Sequence, residues 1–116
     1  MPQLYTEGGY ALGEVISALQ KEIRRGNERE AMYWALELVP RYEGYFWRRL
    51  LVIVNEDIGI ANPLLLAVIP QLCETYQMLR EAGKGDECRL MVANAILLMC
   101  RSPKTRTADH LQCVVD

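Results

Sequence analysis

Apolar side chains recur along this chain at helical rather than strand spacing. Leu12, Val15, Ile16, Leu19 and Ile23 fall at offsets 0, 3, 4, 7 and 11, which is one stripe of a helix over 12–25. Glu14, Gln20, Lys21, Arg24 and Arg25 are left on its wet side, and Gly26 is a natural stop. Arg24 and Arg25 suit the negative end of that helix's dipole. Asn27 is a good N-cap for a second helix over 28–39, with Glu28 and Glu30 in its first turn and Pro40 to halt it. The run Leu50-Leu51-Val52-Ile53-Val54 could pass for a buried strand, since β-branched residues favour sheets. Phe46, Leu50, Ile53 and Val54 keep helical spacing, however, and Gly59 sits where a C-cap would, so a third helix over 45–57 is expected.

Asn62-Pro63 reads as an N-cap followed by proline at the first helical position, opening a fourth helix over 63–82. Pro70 falls inside it and predicts a kink or break. Gly83-Lys84-Gly85 then separates a fifth helix over 86–101, whose stretch from Leu90 to Cys100 is apolar apart from Asn94. A helix apolar all round belongs at the centre of a bundle, where Asn94 would need hydrogen-bond partners. Ser102-Pro103 ends it, and a short last helix over 107–115 carries Leu111, Val114 and Val115. With no internal repeat and no strand pair, the pattern predicts an all-α, compact bundle of five to six helices.

Composition narrows the class. The chain has 116 residues, so it is read as a single domain over 1–116; 51% are hydrophobic and 24% charged, which excludes a disordered chain. A net charge of −2 argues against a strongly basic nucleic-acid binder. The longest apolar runs, 50–54, 64–69 and 95–100, are too short to span a membrane. The start Met1-Pro2-Gln3-Leu4 lacks the basic and apolar regions of a secretory signal. Cys73, Cys88, Cys100 and Cys113 form no CxxC pair and are read as free thiols, so a cytoplasmic location is expected.

Most candidate chemistry fails on its own terms. Gly8-x-x-x-x-Gly13 has P-loop glycine spacing, but Glu14-Val15 stands where Lys and Ser or Thr should cradle phosphate. His110 and Cys113, with Cys100, are too few for a tetrahedral zinc site, and one histidine without an orienting partner makes no nucleophilic triad, so no metal is expected. Glu56 and Asp57 are adjacent rather than facing, which does not suit paired acid–base work. Acids at a helix C-terminus oppose the dipole, so a cation should answer them: Arg48 or Arg49 from the same helix, or Lys104 or Arg106 from the loop after Pro103. Arg101, Lys104 and Arg106 form the densest basic stretch and are candidate phosphate contacts. Tyr33-Trp34 and Tyr45-Phe46-Trp47 cannot all face one core, and they are candidate interface residues.

These segments, read in order, carry a resemblance. Ser17-Ala18-Leu19-Gln20-Lys21-Glu22-Ile23-Arg24-Arg25-Gly26-Asn27, then Ala31-Met32-Tyr33-Trp34-Ala35, Tyr45-x-x-Arg48-Arg49-Leu50, Asn55-Glu56-Asp57-Ile58-Gly59-Ile60-Ala61-Asn62-Pro63 and Ser102-Pro103-Lys104 are similar to the C-terminal region of the RarA/MgsA family of AAA+ ATPases. That family is related to the Werner-helicase-interacting protein and to clamp loaders. In this chain Ser102-Pro103-Lys104-Thr105-Arg106 replaces the family's Ala-Pro-Lys-Ser-Asn, adding a positive charge. The resemblance implies a helical post-AAA+ oligomerisation domain acting in DNA replication, repair and recombination. The residues Arg48, Arg49, Glu56, Asp57, Gly59, Pro63, Pro103 and Lys104 are expected to be structural motif or ion-pair residues. No P-loop accompanies them, so no cofactor and no catalytic residue are expected here. The expected function is non-catalytic self-association, as dimer or tetramer, and contact with an AAA+ ATPase or replication protein. A DNA-binding accessory domain at replication forks is the second, weaker reading.

Overall fold

The computed structural model describes residues 3–115; Met1, Pro2 and Asp116, the limits of the N-terminal reading and of the 1–116 range, lie outside them. Six α-helices run in order among the described residues: α1 (Leu12–Arg25), α2 (Glu28–Leu38), α3 (Glu43–Ile53), α4 (Leu65–Glu81), α5 (Gly85–Arg101) and α6 (Thr107–Val114). The fold is an all-α bundle. The hairpins α1–α2 and α4–α5 pack most closely, α5 also touches α1 and α2, and α3 lies against α2 and α4.

The α1 stripe behaves as its spacing demands: Val15, Ile16, Leu19 and Ile23 are all buried. They meet Leu38, Phe46, Leu50, Ile53, Ile69, Ile96 and Met99 in one core. Each such side chain contributes roughly 1.5–3 kcal/mol relative to an exposed one. Gly26 closes α1 at φ +76°, with its N–H donating to the Ile23 carbonyl and the Asn27 N–H to the Glu22 carbonyl. A Cβ at Gly26 would stand 3.2 Å from the Cys100 carbonyl oxygen, so glycine there both permits the turn and lets the ends of α1 and α5 meet. Asn27 caps nothing with its side chain; its Nδ2 instead donates to Glu22 Oε2 at 2.8 Å.

The largest departures from the sequence pattern fall around the third helix. It ends as α-helix at Ile53 and continues as a π-helical turn, Val54–Ile58, then a 3₁₀ turn, Gly59–Ala61. The wider turn sets Val54, Asp57 and Ile58 inward, and Gly59 leaves it at φ +45° with its N–H donating to the Val54 carbonyl. Pro63 is not the first residue of α4. The chain passes Asn62 to Leu64 through i→i+3 hydrogen bonds and becomes α-helical at Leu65. Helix α4 then runs unbroken through Pro70.

The fifth helix is also less enclosed than its composition predicts. Cys88, Val92, Ala95, Ile96, Met99 and Cys100 are buried, but Leu90 is 57% and Leu98 41% exposed, and Asn94 between them faces solvent. Asn94 therefore needs no internal partner. Helix α6 buries no residue at all.

Candidate functional site

The densest polar cluster is built on the π-helical turn. Asp57 is fully buried, an expensive place for a carboxylate unless its oxygens are answered. Oδ1 accepts from Arg106 Nη1 at 2.8 Å and lies 3.4 Å from Arg24 Nε. Oδ2 accepts from Gln20 Nε2 at 3.1 Å and Arg24 Nη2 at 3.5 Å. Gln20 Nε2 also donates to Glu56 Oε2 at 3.0 Å. The Asp57 carbonyl takes the Thr105 N–H at 2.8 Å, so backbone as well as charge ties this turn to the loop after α5. Arg106 goes on to Asp109 in α6, at 2.7 Å. The Asp109 hydrogen bond, with the Asp57 charge behind it, raises the Arg106 pKa, and Arg106 and Gln112 hold the Asp109 carboxyl below its ordinary value.

The acids are thus answered from across the fold, but the cations differ from those the sequence nominates. Arg106 is one of the expected partners. Lys104, also expected there, does not pair with either acid: its Nζ donates to the Cys100 and Ser102 carbonyls, at 2.9 and 2.6 Å, closing the C-terminus of α5. Partial burial there lowers the Lys104 pKa. Neither Arg48 nor Arg49 enters an ion pair among the described residues. Arg24 and Gln20, which the stripe analysis leaves on the wet side of α1, complete the cluster. Their spacing of four places both on one edge of the helix, and that was the available signal. Which edge would meet Asp57 depends on the π-helical turn, which the sequence pattern does not predict.

The aromatic candidates separate. Phe46 and Trp47 are core residues, stacked edge-to-face with centroids 5.1 Å apart, and Trp47 also packs on Tyr76 at 5.4 Å. They are unavailable to a partner. Tyr45 is half-buried against the same core. Tyr33 and Trp34 are met by Tyr10 from the N-terminal segment, both with edge-to-face geometry, and the Tyr33 and Tyr10 hydroxyls are 2.8 Å apart. That hydrogen bond, with desolvation behind it, pushes the Tyr33 hydroxyl up to about 12.

The three candidate phosphate contacts are occupied in the fold. Arg101 grips Glu28 through Nε and Nη2 at 2.5 and 3.1 Å, Lys104 closes α5, and Arg106 binds Asp57 and Asp109. Pro103 is exposed and lines a shallow cleft with Asn62, Asn94, Leu97 and Leu98.

Two further clefts, of about 350 and 340 Å³, lie between the π-helical turn and α6 and between the end of α2 and the start of α5. Each sits at the small end of ligand-pocket size, and neither gathers a nucleophile with a base and an orienting group. Cys100 is buried, which pushes its thiol up to about 11 and away from the reactive thiolate. The arrangement cross-links α1, the π-helical turn, the loop after α5 and α6.

The order of these segments has a counterpart in known proteins. The family described as MgsA AAA+ ATPase C terminal matches residues 26–111. The chain belongs to this family. Replication-associated recombination protein A of Bacillus subtilis is 34% identical over 105 residues, covering 90% of this chain and 24% of its own length. ATPase WRNIP1 of Dictyostelium discoideum is 28% identical over 109 residues, covering 92% of this chain and 12% of its own. Replication-associated recombination protein A of Haemophilus influenzae is 30% identical over 94 residues, covering 79% of this chain and 20% of its own length. The chain therefore spans a quarter or less of the relatives it matches, and it corresponds to the MgsA C-terminal domain. Asp57, Lys104 and Arg106 lie within the matched segment, and Gln20 and Arg24 lie just before it. No helix among the described residues is long and apolar enough to cross a membrane.

Proposed function

We propose that this MgsA-type domain is a non-catalytic self-association module that holds copies of an AAA+ ATPase together in replication or recombination. The observation that carries the reading is the large apolar side chains left on the surface of an otherwise well-filled bundle, among them Ile60, Leu64, Leu90 and Leu98. A small domain gains nothing from exposing such residues, whereas a copy of itself or a partner can cover them. The names of its relatives supply the AAA+ and replication context. Phosphate contact through Arg101, Lys104 and Arg106 draws no comparable support, because Lys104 and Arg106 already hold groups of their own fold, which leaves Arg101 as a single cation with a donor to spare.

Sedimentation velocity across the micromolar range tests the reading. A species at two or four times the 13.3 kDa chain mass is expected, with closed even-numbered symmetry. A monomer throughout would overturn it. Titration with forked DNA at two salt concentrations addresses the phosphate reading separately, since each neutralised duplex phosphate steepens the salt dependence by roughly 0.9 log units per log of salt.

A further inference from the structure

The outward face of α5 is symmetric about Asn94. Leu90 and Leu98 lie four residues to either side of it, and Met91 and Leu97 lie three to either side. Seven residues away stand Glu87 on one side and Arg101 on the other. Offsets of 3, 4 and 7 share one face of an α-helix. Glu87, Leu90, Asn94, Leu98 and Arg101 are all exposed, and Met91 and Leu97 are half-exposed beside them.

We infer that α5 is the contact helix of a two-fold dimer, packing antiparallel on α5 of a second copy with Asn94 at the axis. This rests on the self-association reading and says which face performs it. A two-fold interface sets the residue n places before the axis against the residue n places after it in the other copy. Leu90 then meets the partner's Leu98, Met91 meets the partner's Leu97, and Asn94 meets Asn94 of the partner subunit. An amide carries both donor and acceptor, so two copies of Asn94 satisfy one another and fix the register.

The charges complete the match. Glu87 meets the partner's Arg101, an acid against a base at both ends of the contact. In a parallel pairing each residue would meet its own copy, setting Glu87 against Glu87 and Arg101 against Arg101, so the charge pattern selects the antiparallel arrangement. Antiparallel α5 helices also place the positive end of one dipole beside the negative end of the other. Arg101 holds Glu28 through Nε and Nη2, so Nη1 remains to reach Glu87 across the interface. The side chain of Arg101 is 69% exposed, which gives it that reach. The cleft formed by Asn62, Asn94, Leu97, Leu98 and Pro103 receives the partner's Leu90. Its walls extend the helical stripe toward the roughly 800 Å² that each partner of a stable dimer commits.

Cysteine pairing tests this arrangement in the 116-residue chain with Cys73 and Cys113 changed to serine. Under copper phenanthroline, Asn94→Cys should cross-link to itself within minutes. Leu90→Cys should cross-link to Leu98→Cys when the two are mixed, at least about tenfold faster than either does alone. Leu98→Glu should weaken self-association at least about tenfold in sedimentation while the circular dichroism of the chain is unchanged. If the unmodified chain is monomeric at all concentrations, both the self-association reading and this face fall. If it associates while Asn94→Cys does not cross-link, or Leu90→Cys pairs best with itself, self-association stands and the antiparallel α5 contact is wrong.

Discussion

Asp57 and Leu98 invert the usual placement of polar and apolar groups, and they do so for opposite reasons. Asp57 is a charge with no solvent exposure, yet both its oxygens are met by donors from α1 and from the loop before α6. Leu98 is an aliphatic side chain left 41% exposed, on a helix whose other face is fully buried. Around Asp57 the chain satisfies its own groups and thereby locks three segments together. Along outer α5 it leaves apolar surface that its own fold does not cover. Polar groups inside define the fold, and apolar groups outside are free to define an assembly.

The comparison is most sharply broken at Asp57. Asp57→Ala removes the common partner of Arg24 and Arg106 and should lower stability by about 3 kcal/mol, the cost of opening a buried pair from one side. A thermal melt lower by roughly 10 °C is the expected readout. A loss under about 1 kcal/mol would place the cluster with ordinary surface ion pairs.

A double-mutant cycle sharpens which cation matters. Asp57→Ala and Arg106→Ala should be less than additive by about 1–2 kcal/mol, because both remove the same 2.8 Å contact. Lys104→Ala alone should cost about 1 kcal/mol through the lost bonds to the Cys100 and Ser102 carbonyls, and it should add to Asp57→Ala almost independently. Strong coupling of Lys104 to Asp57 in denaturant melts would return Lys104 to the acid cluster.

On the other side of the comparison, Leu98→Ser should change the stability of the dissociated monomer by no more than about 0.5 kcal/mol. Denaturation at high dilution measures this, and a larger loss would make Leu98 a core residue. The smallest expected effect is that of acid. Arg101 holds Glu28 below its ordinary 4.5, and Arg106 and Gln112 hold Asp109 below its ordinary 3.8. A carboxyl depressed in the folded state stabilises fully above its unfolded value and loses that contribution as pH falls through the lower, folded one. Protection of the α6 amides, measured as exchange relative to the unfolded chain at the same pH, should therefore stay constant down to about pH 4 and fall below it. Protection that fell between pH 7 and 5 would contradict the assignment.

The helices around Leu19 and Leu50 were legible from their period, that around Ala31 from Asn27 and Pro40 at its ends, and that around Ile96 from its flanking glycines and Pro103; the order of the short motifs pointed to the MgsA family. The acid pair was legible as a conflict with the helix dipole, and Arg106 as one answer to it. Arg24 was not, because an arginine on a wet face beside Arg25 gives no sign of the turn it will meet. Phe46 and Trp47 illustrate the same limit from the other direction. Adjacent aromatics look unable to share a core, but Trp47 is enclosed by Tyr76 from α4, 29 positions further along the chain and beyond any local pattern.

By itself the amino-acid sequence determined the all-α class, the buried stripe of α1 and the turn at Gly26, since spacing and φ preference act over neighbouring residues. Only the tertiary structure decided that the chain widens into a π-helical turn at Val54–Ile58, that Asp57 faces inward to Arg24 and Arg106, and that the apolar fifth helix keeps one side open. A helix composed almost wholly of apolar residues offers every face to burial, and the number of neighbours that reach it decides which face is left over. Here α1, α2 and α4 cover the inner side of α5, and no described segment of the chain covers Leu90 and Leu98.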